Sequence, residues 1–335
     1  MTDRGIASDV DVTNEPEHRR GGRELRRKVG VFALIAGLLA ALVVAFTQAA
    51  GSESPAGTAG RQTPPALTLR QHAFVDLRTG GITPLPEGIE GGYSYRASPD
   101  GSMVAFESCC GAFLVANVDG TRAHQVTPDR LETSGAAWSP NGSRLVFQGR
   151  RDSREVGNLF VVDVATGDLE RITDLEPMIN GGWWFLWPSF APDGETILFH
   201  RLRPEVASSG QVWDLWSVGV TGGKPTLVRR DAGLGQYSPG GGTIAYVPSL
   251  NPHDATGSSL WLMDATGGDP RKLIEDRGIW WPRWSPDGTR IAYATGEDGI
   301  HVVDVATGRI GKVADGGVAE WFDDDTLIVG PGGNH

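Results

Sequence analysis

The amino-acid sequence predicts an all-β fold, a six-bladed β-propeller closed by its N- and C-terminal strands and preceded by one transmembrane helix. Three observations lead to this prediction. A turn motif of the Ser-Pro-Asp-Gly type recurs five times, with its prolines 41, 52, 47 and 47 residues apart. Each motif is flanked by strand-like runs, four to a repeat, which is typical of a propeller blade. A stretch of 22 residues without a charge precedes all copies.

The first 50 residues predict a membrane topology. Residues 1–28 are polar and charged, which predicts a disordered cytoplasmic tail. Residues 29–50 carry no charge, and a helix rising about 1.5 Å per residue over that length crosses a bilayer core of roughly 30 Å. Six basic residues between 19 and 28 favour a cytoplasmic N-terminus, so everything after residue 50 is predicted to be periplasmic or extracellular. A cleaved signal peptide is the alternative that these residues leave open.

The rest of the chain predicts a spacer followed by one folded domain. Residues 51–65 are rich in Gly, Ser, Thr, Ala and Pro, the composition of a flexible linker. Residues 66–335 hold all copies of the repeat and are predicted to form the propeller. Seven of the 30 basic and six of the 41 acidic residues precede residue 29, which leaves 23 basic and 35 acidic residues beyond it. This balance argues against a nucleic-acid partner, because phosphate binding needs clustered Lys and Arg.

Each repeat opens on a strand that ends in the turn motif. Proline presets the first central turn position, Asp or Asn bonds back to its own backbone, and Gly takes the left-handed exit. We therefore predict structural turns at Pro99, Asp100, Gly101, Pro140, Asn141, Gly142, Pro192, Asp193, Gly194, Pro239, Pro286, Asp287 and Gly288. The residue before most of these motifs is aromatic and recurs in register, which predicts packing between blades at Trp138, Phe190, Tyr237, Trp284 and Trp321.

A sixth, degenerate copy of the turn occupies residues 322–325 and is followed by one more apolar run. Residues 74–82, near the start of the domain, match the third strand and turn at 302–308 and the residues directly beyond them. The sixth blade is therefore predicted to combine strands from both ends of the domain. Such a blade closes the ring and leaves no unpaired edge between blades.

These repeats resemble the Pro-Asp repeat of the TolB family, which is also seen in the propellers of dipeptidyl peptidase IV-like proteins. The resemblance covers residues 66–330 and is carried by the recurring turn motifs and the aromatic residues before them. It implies a periplasmic propeller that serves as a protein-binding scaffold at the cell envelope. At the place of the partly α/β N-terminal domain of TolB proteins, this sequence predicts a membrane anchor and a linker. We therefore expect an envelope protein as partner without identifying it with the partner of TolB.

The sequence carries no local catalytic signature, and we predict no catalytic residues, no metal site and no cofactor. It contains no Gly-x-Ser-x-Gly nucleophile motif and no His-Glu-x-x-His pair. Its cysteines, Cys109 and Cys110, are adjacent. Two interpretations of them stay open: a strained vicinal disulfide, or two thiols on opposite faces of a strand end.

A cluster of extra aromatic residues is predicted at one mouth of the channel. Trp183, Trp184 and Phe185 exceed what the repeat requires, and Trp280 and Trp281 stand at the matching place before the fifth blade. Loops that lead into innermost strands surround one mouth of a propeller, so these side chains are predicted to share a face. Exposed Trp clusters are typical anchors for proteins or sugars. The structural alternative is that they fill the channel mouth or pad neighbouring blades.

We therefore expect a non-catalytic protein-binding scaffold, anchored in the cell membrane through residues 29–50, with these five aromatic residues as candidate binding residues. A second interpretation is an envelope sensor for a glycan or small molecule that signals through the single helix. A third is a hydrolase or lyase with a site in the channel, because propeller enzymes assemble sites from separate blades. A flat aromatic face would favour the scaffold. A pocket with polar groups would favour the sensor, and a bound metal would favour the enzyme.

Overall fold

The computed structural model describes residues 67–68, 71–92, 94–108, 111–151, 157–175, 186–203, 212–248, 258–276, 278–295 and 299–331. The predicted tail, transmembrane helix and linker at 1–28, 29–50 and 51–65 lie outside these ranges, as do Cys109 and Cys110. Within the described residues no helix has the length and apolar character needed to cross a bilayer.

The strands of the described residues form six blades. The first three strands of the chain are β1 (Leu67–Thr68), β2 (Ala73–Asp76) and β3 (Ile82–Pro84). Blade 1 contains β4 (Arg96–Ala97), β5 (Met103–Glu107), β6 (Phe113–Asn117) and β7 (His124–Gln125). Blade 2 contains β8 (Glu132–Trp138), β9 (Arg144–Arg150), β10 (Asn158–Asp163) and β11 (Leu169–Arg171).

The remaining blades follow in chain order. Blade 3 contains β12 (Ser189–Phe190), β13 (Thr196–Leu202), β14 (Trp213–Gly219) and β15 (Gly222–Arg229). Blade 4 contains β16 (Ala232–Tyr237), β17 (Thr243–Pro248), β18 (Ser258–Asp264) and β19 (Arg271–Asp276). Blade 5 contains β20 (Ile279–Trp284), β21 (Arg290–Thr295), β22 (Gly299–Asp304) and the first half of β23 (Ile310–Trp321). Blade 6 contains the second half of β23, β24 (Thr326–Pro331), β2 and β3.

The sixth blade takes strands from both ends of the described chain. Strand β2 pairs antiparallel with β24, with Ala73 opposite Val329 and Asp76 opposite Thr326, and β3 pairs with β2 on its other side. Strand β23 is shared, because its first half pairs with β22 and its second half with β24. The short strand β1 lies parallel to β23 at Ala314.

The apolar core of the described residues is divided among the contacts between neighbouring blades. Alternate residues of a strand point to opposite faces of its sheet. In β9, Leu145 and Phe147 pack with residues of blade 1, whereas Val146 packs with residues of blade 3. The same alternation recurs around the molecule, and one of the clusters joins Ile328 of blade 6 to Val104 of blade 1. Each blade therefore needs both neighbours to bury its side chains.

The aromatic residue before the turn joins one blade to the preceding one. The indole N–H of Trp138 donates to the carbonyl oxygen of Arg96 at 2.8 Å, and that of Trp321 to the carbonyl oxygen of Arg283 at 2.9 Å. Both indoles are buried, and a buried indole N–H needs such an acceptor. These contacts confirm the predicted packing of the repeated aromatic residues between blades.

The tetrapeptide motifs form tight turns between the first and second strands of their blades. The N–H of Gly288 donates to the carbonyl oxygen of Ser285 at 2.9 Å, and the hydroxyl of Ser285 donates to Asp287 Oδ1 at 2.5 Å. Gly288 has a φ of +70°, which a residue with a Cβ adopts only at a cost. The equivalent backbone bond closes the turns at Gly101, Gly142, Gly194 and Gly241.

Candidate functional site

The first strands of the blades surround a central channel. Neighbouring first strands contact one another in the order β4, β8, β12, β16, β20, β23 and again β4. A cavity of about 180 Å³ lies in this channel, and every blade contributes the residue directly before the repeated aromatic position, namely Arg96, Ala137, Ser189, Gln236, Arg283 and Glu320. The repeat therefore brings polar side chains that are far apart in sequence to one space.

A β-bulge in the innermost strands, toward the end that is far from the turns, changes the direction of the side chains at that end. In blades 2, 4, 5 and 6, three backbone steps of the first strand face two steps of the second. The backbone is left-handed at Gly135, Leu234 and Trp281, with φ of 59°, 52° and 49°, and Trp187 occupies the same position of blade 3 with φ of 40°. Bulges of this kind re-aim side chains and are frequent next to functional sites.

Arg96 is held from three sides and is only 5% exposed. Its Nε–H donates to the carbonyl oxygen of Ala136 at 2.8 Å, and its Nη1–H donates to that of Tyr95 at 2.6 Å. Nη1 also lies 3.4 Å from Oε2 of Glu320. Burial lowers the pKa of Arg96 to about 10, and the positive charge of Arg283 acts in the same direction. The guanidinium therefore keeps its charge at neutral pH.

Arg283 shares the same carboxylate with Arg96. Its Nε–H donates to Oε2 of Glu320 at 3.1 Å, and its Nη1–H donates to the carbonyl oxygen of Pro282 at 3.2 Å. One oxygen of Glu320 is thus in contact with both guanidinium groups. Two arginines and one glutamate give the cavity lining a net charge of +1.

Gln236 adds a neutral donor to the same cavity. Its Oε1 accepts the N–H of Trp284 at 3.0 Å, and because a backbone N–H only donates, this bond fixes which end of the amide is Nε2. Among the described residues, Nε2 of Gln236 and the Nη2 atoms of Arg96 and Arg283 have no hydrogen-bond partner. Three donor groups therefore line the cavity with unused capacity.

Glu107, at the end of β5, is a further carboxyl group that acts on Arg96. Burial raises the pKa of Glu107 to about 7, and the attraction of Arg96 opposes this increase only in part. A fraction of Glu107 is therefore protonated at neutral pH. The charge balance around Arg96 depends on pH for this reason.

Aromatic side chains lie at the opposite end of the innermost strands from the turns. The ring of Trp281 lies 5.9 Å from that of Trp187 and 6.1 Å from that of Trp280, measured between ring centroids. Trp187 also approaches Gly135, where a Cβ would lie 3.2 Å from the indole. All three indoles are half-buried. We call Trp187, Trp280 and Trp281 the aromatic mouth, because they connect blades 2, 3 and 5 across the channel.

No protein-family model matches the chain. Among solved structures, a putative TolB from Agrobacterium tumefaciens is similar with a TM-score of 0.64 and 17% identity, over 78% of this chain and 97% of that one. TolB from Acinetobacter baumannii gives a TM-score of 0.52 at 16% identity, over 74% and 67%. An oligogalacturonate lyase from Vibrio parahaemolyticus gives 0.53 at 13% identity, over 77% and 82%. These values show a shared fold.

Two relatives by sequence match over shorter segments. The Tol-Pal system protein TolB of Xylella fastidiosa is 36% identical over 69 residues, which are 19% of this chain and 16% of that protein. An uncharacterized protein of Agrobacterium fabrum is 28% identical over 130 residues, 36% of this chain and 40% of that protein. The chain thus covers less than half the length of these relatives.

The chain contains a TolB-like six-bladed β-propeller. In this TolB-like propeller, Trp280 and Trp281 of the predicted binding residues are brought together, whereas Trp183, Trp184 and Phe185 lie outside the described residues. Trp280 and Trp281 belong to β20 itself and not to a loop before it, because residues of β20 on both sides of the bulge pair with β21. Their mutual packing means that part of each ring fills the channel mouth.

The prediction omitted the polar residues of the cavity and one tryptophan of the mouth. Arg96, Gln236, Arg283 and Glu320 each stand alone in the sequence, without a motif around them. The available signal was their register, because all four directly precede the repeated aromatic position. Trp187 was detectable in the same way, since it holds the repeat position of Trp281.

Two other polar residues of the TolB-like propeller, Arg203 and His200, are hydrogen-bonded within the structure. Arg203, which directly follows β13 in blade 3, donates from Nε to Asp214 at 3.0 Å and from Nη2 to Asp231 at 3.0 Å. His200 accepts the N–H of Leu234 at Nδ1. Among the described residues, no three His, Cys, Asp or Glu side chains are grouped in a way that could hold a metal ion.

Proposed function

We propose that this protein is a membrane-anchored, extracytoplasmic propeller that acts as a non-catalytic protein-binding scaffold at the cell envelope. The observation that carries the proposal is the aromatic mouth, in which Trp187, Trp280 and Trp281 gather half-buried at one end of the channel. Indole rings offer a large contact area with few rotatable bonds, and they are enriched at the centres of protein interfaces.

The architecture supports a scaffold because it holds this surface in a fixed shape. The pairing of β2 with β24 supports a ring closed by its terminal strands, and the clusters between blades couple each blade to its neighbours. A preformed surface loses less conformational entropy on binding than a flexible one. The predicted helix at 29–50 would anchor the propeller to the membrane.

The proposal is tested by cross-linking the tagged full-length chain in intact cells of its own organism and identifying the proteins retained. We expect one envelope protein to be retained in a fixed molar ratio. The variant Trp280→Ala should lose it, since it removes a ring from the aromatic mouth. The matched control is Trp261→Ala, because Trp261 lies in the third strand of blade 4 and donates to Ser259.

Equal retention by the wild type and both variants would show that the aromatic mouth is not the binding surface. If no envelope protein is retained by the wild type, the scaffold function is wrong. A wild-type chain that instead binds immobilised envelope glycans, with loss in Trp280→Ala, would replace the scaffold by a glycan sensor.

A further inference from the structure

We propose that the cavity in the central channel binds a small organic monocarboxylate. This inference is independent of the protein-binding function, because the cavity lies toward the turns and the aromatic mouth lies at the other end of the innermost strands. Four observations support it: the charge of the lining, its unused hydrogen-bond donors, its aromatic side chains and the volume of the cavity.

The charge of the cavity lining favours a monoanion. Arg96 and Arg283 both contact one oxygen of Glu320, at 3.4 and 3.1 Å. Within the lining a single carboxylate faces two guanidinium groups, and Arg96 is 5% exposed. Glu107, outside the lining, adds only part of a negative charge near Arg96 at neutral pH, because burial raises its pKa to about 7. Like charges repel strongly when they are withdrawn from water. One additional negative charge would neutralise the lining, whereas a dianion would leave it negative.

The unused donors are of the chemical kind that a carboxylate accepts. Nη2 of Arg96, Nη2 of Arg283 and Nε2 of Gln236 have no partner among the described residues, and all three side chains line the cavity. Arginine groups bind planar carboxylates with shorter and stronger hydrogen bonds than neutral donors do. The donors come from blades 1, 4 and 5, so they face the cavity from different sides.

The aromatic side chains in the lining and the volume of the cavity favour an organic acid over an inorganic anion. Trp138, Phe190 and Tyr237 line the same cavity as the polar groups. Polar atoms make up most of the surface of this cavity, and the aromatic side chains cover the remainder in part. An apolar cavity of about 150 Å³ holds benzene, so a cavity of about 180 Å³ has room for a small acid with an apolar body.

The test measures binding of benzoate to the purified full-length chain by titration calorimetry, with benzamide as the neutral ligand of the same shape and inorganic phosphate as the other anion. Benzoate should bind at least tenfold more tightly than either, because only benzoate combines a single negative charge with an apolar ring. Equal affinity for benzoate and benzamide, tighter binding of phosphate, or no binding of benzoate would each overturn the proposal.

The substitution Gln236→Glu tests whether benzoate binds in this cavity. It keeps an acceptor for the N–H of Trp284 but replaces the Nε2 donor by a charged oxygen, so benzoate affinity should fall at least tenfold. The same chemical change at an exposed position outside the cavity, Gln71→Glu, should leave the affinity unchanged. If Gln236→Glu lowers the cooperativity of unfolding, Arg283→Gln replaces it, since Arg96 still pairs with Glu320 in that variant. Wild-type affinity in a folded Gln236→Glu or Arg283→Gln variant would contradict the assignment.

Discussion

At the scale of single residues, Glu107 connects the charge of the channel to the stability of the fold. Burial raises the pKa of Glu107 from 4.5 to about 7 in the folded protein. Between these two values the folded state holds a proton that the unfolded state has released. The stabilising contribution of Glu107 to the free energy of unfolding is therefore fully present below about pH 4.5, and it is lost as the pH rises through 7.

This shift predicts the behaviour of Glu107→Gln, which cannot ionise. The free energy of unfolding of the variant should increase relative to the wild type between pH 5 and pH 8. The change should approach about 3 kcal/mol, because one pKa unit corresponds to about 1.4 kcal/mol. Urea denaturation at a series of pH values measures it. Glu87→Gln is the matched control, since Glu87 is exposed, and identical pH profiles of Glu107→Gln and the wild type would contradict the assigned shift.

At the scale of elements, the bulged innermost strand decides which side chains reach the channel and its mouth. Gly135 has φ of +59°, and a Cβ there would lie 3.2 Å from the ring of Trp187. The left-handed conformation costs a residue with a Cβ about 1–2 kcal/mol. Strand β8 can keep its register with β9 only if position 135 accepts this conformation.

The variant Gly135→Ala should therefore lower the free energy of unfolding by about 1–3 kcal/mol, from the backbone cost together with the close contact to Trp187. It should also change the environment of that indole, which near-ultraviolet circular dichroism measures. Gly311→Ala is the control, because Gly311 lies in β23 without a left-handed backbone, and a methyl group added there would meet no heavy atom within 4 Å. Equal stability of both variants would show that the bulge tolerates a side chain.

The sequence predicts the strands and turns of the blades better than the bulge that shapes the site. The turns carry a local signal, since Pro, Asp and Gly each impose their own backbone preference, as at Pro286, Asp287 and Gly288. The bulge carries none, because its position is occupied by Gly135, Trp187, Leu234 or Trp281, which share no turn preference. At this position the neighbouring strands, and not the residue type, fix the backbone conformation. The cavity residues were not predicted, because residues so far apart in sequence come together only when the blades form a ring.

At the scale of the whole molecule, the sixth blade depends on strands from both ends of the described chain. Val75 of β2 is 2% exposed and packs in the cluster between blades 5 and 6. Phe74, on the opposite face of β2, lies 5.0 Å from the ring of Phe322. Without β2 and β3, one edge of β24 would lose its hydrogen-bonding partners, and both clusters beside it would be exposed to water.

We therefore predict that a chain of residues 85–335 unfolds at a lower temperature than one of residues 67–335 and associates through the edge of β24. The longer chain retains β2 and β3, so it should stay monomeric and unfold in one cooperative transition. Calorimetry measures the unfolding, and size-exclusion chromatography with light scattering measures the mass. The comparison isolates the terminal strands, because both chains lack residues 1–66. Equal transition temperatures and equal monomeric masses would mean that five blades and half of the sixth are stable alone. The stability of the propeller would then reside in pairs of neighbouring blades, without a contribution from the joined ends.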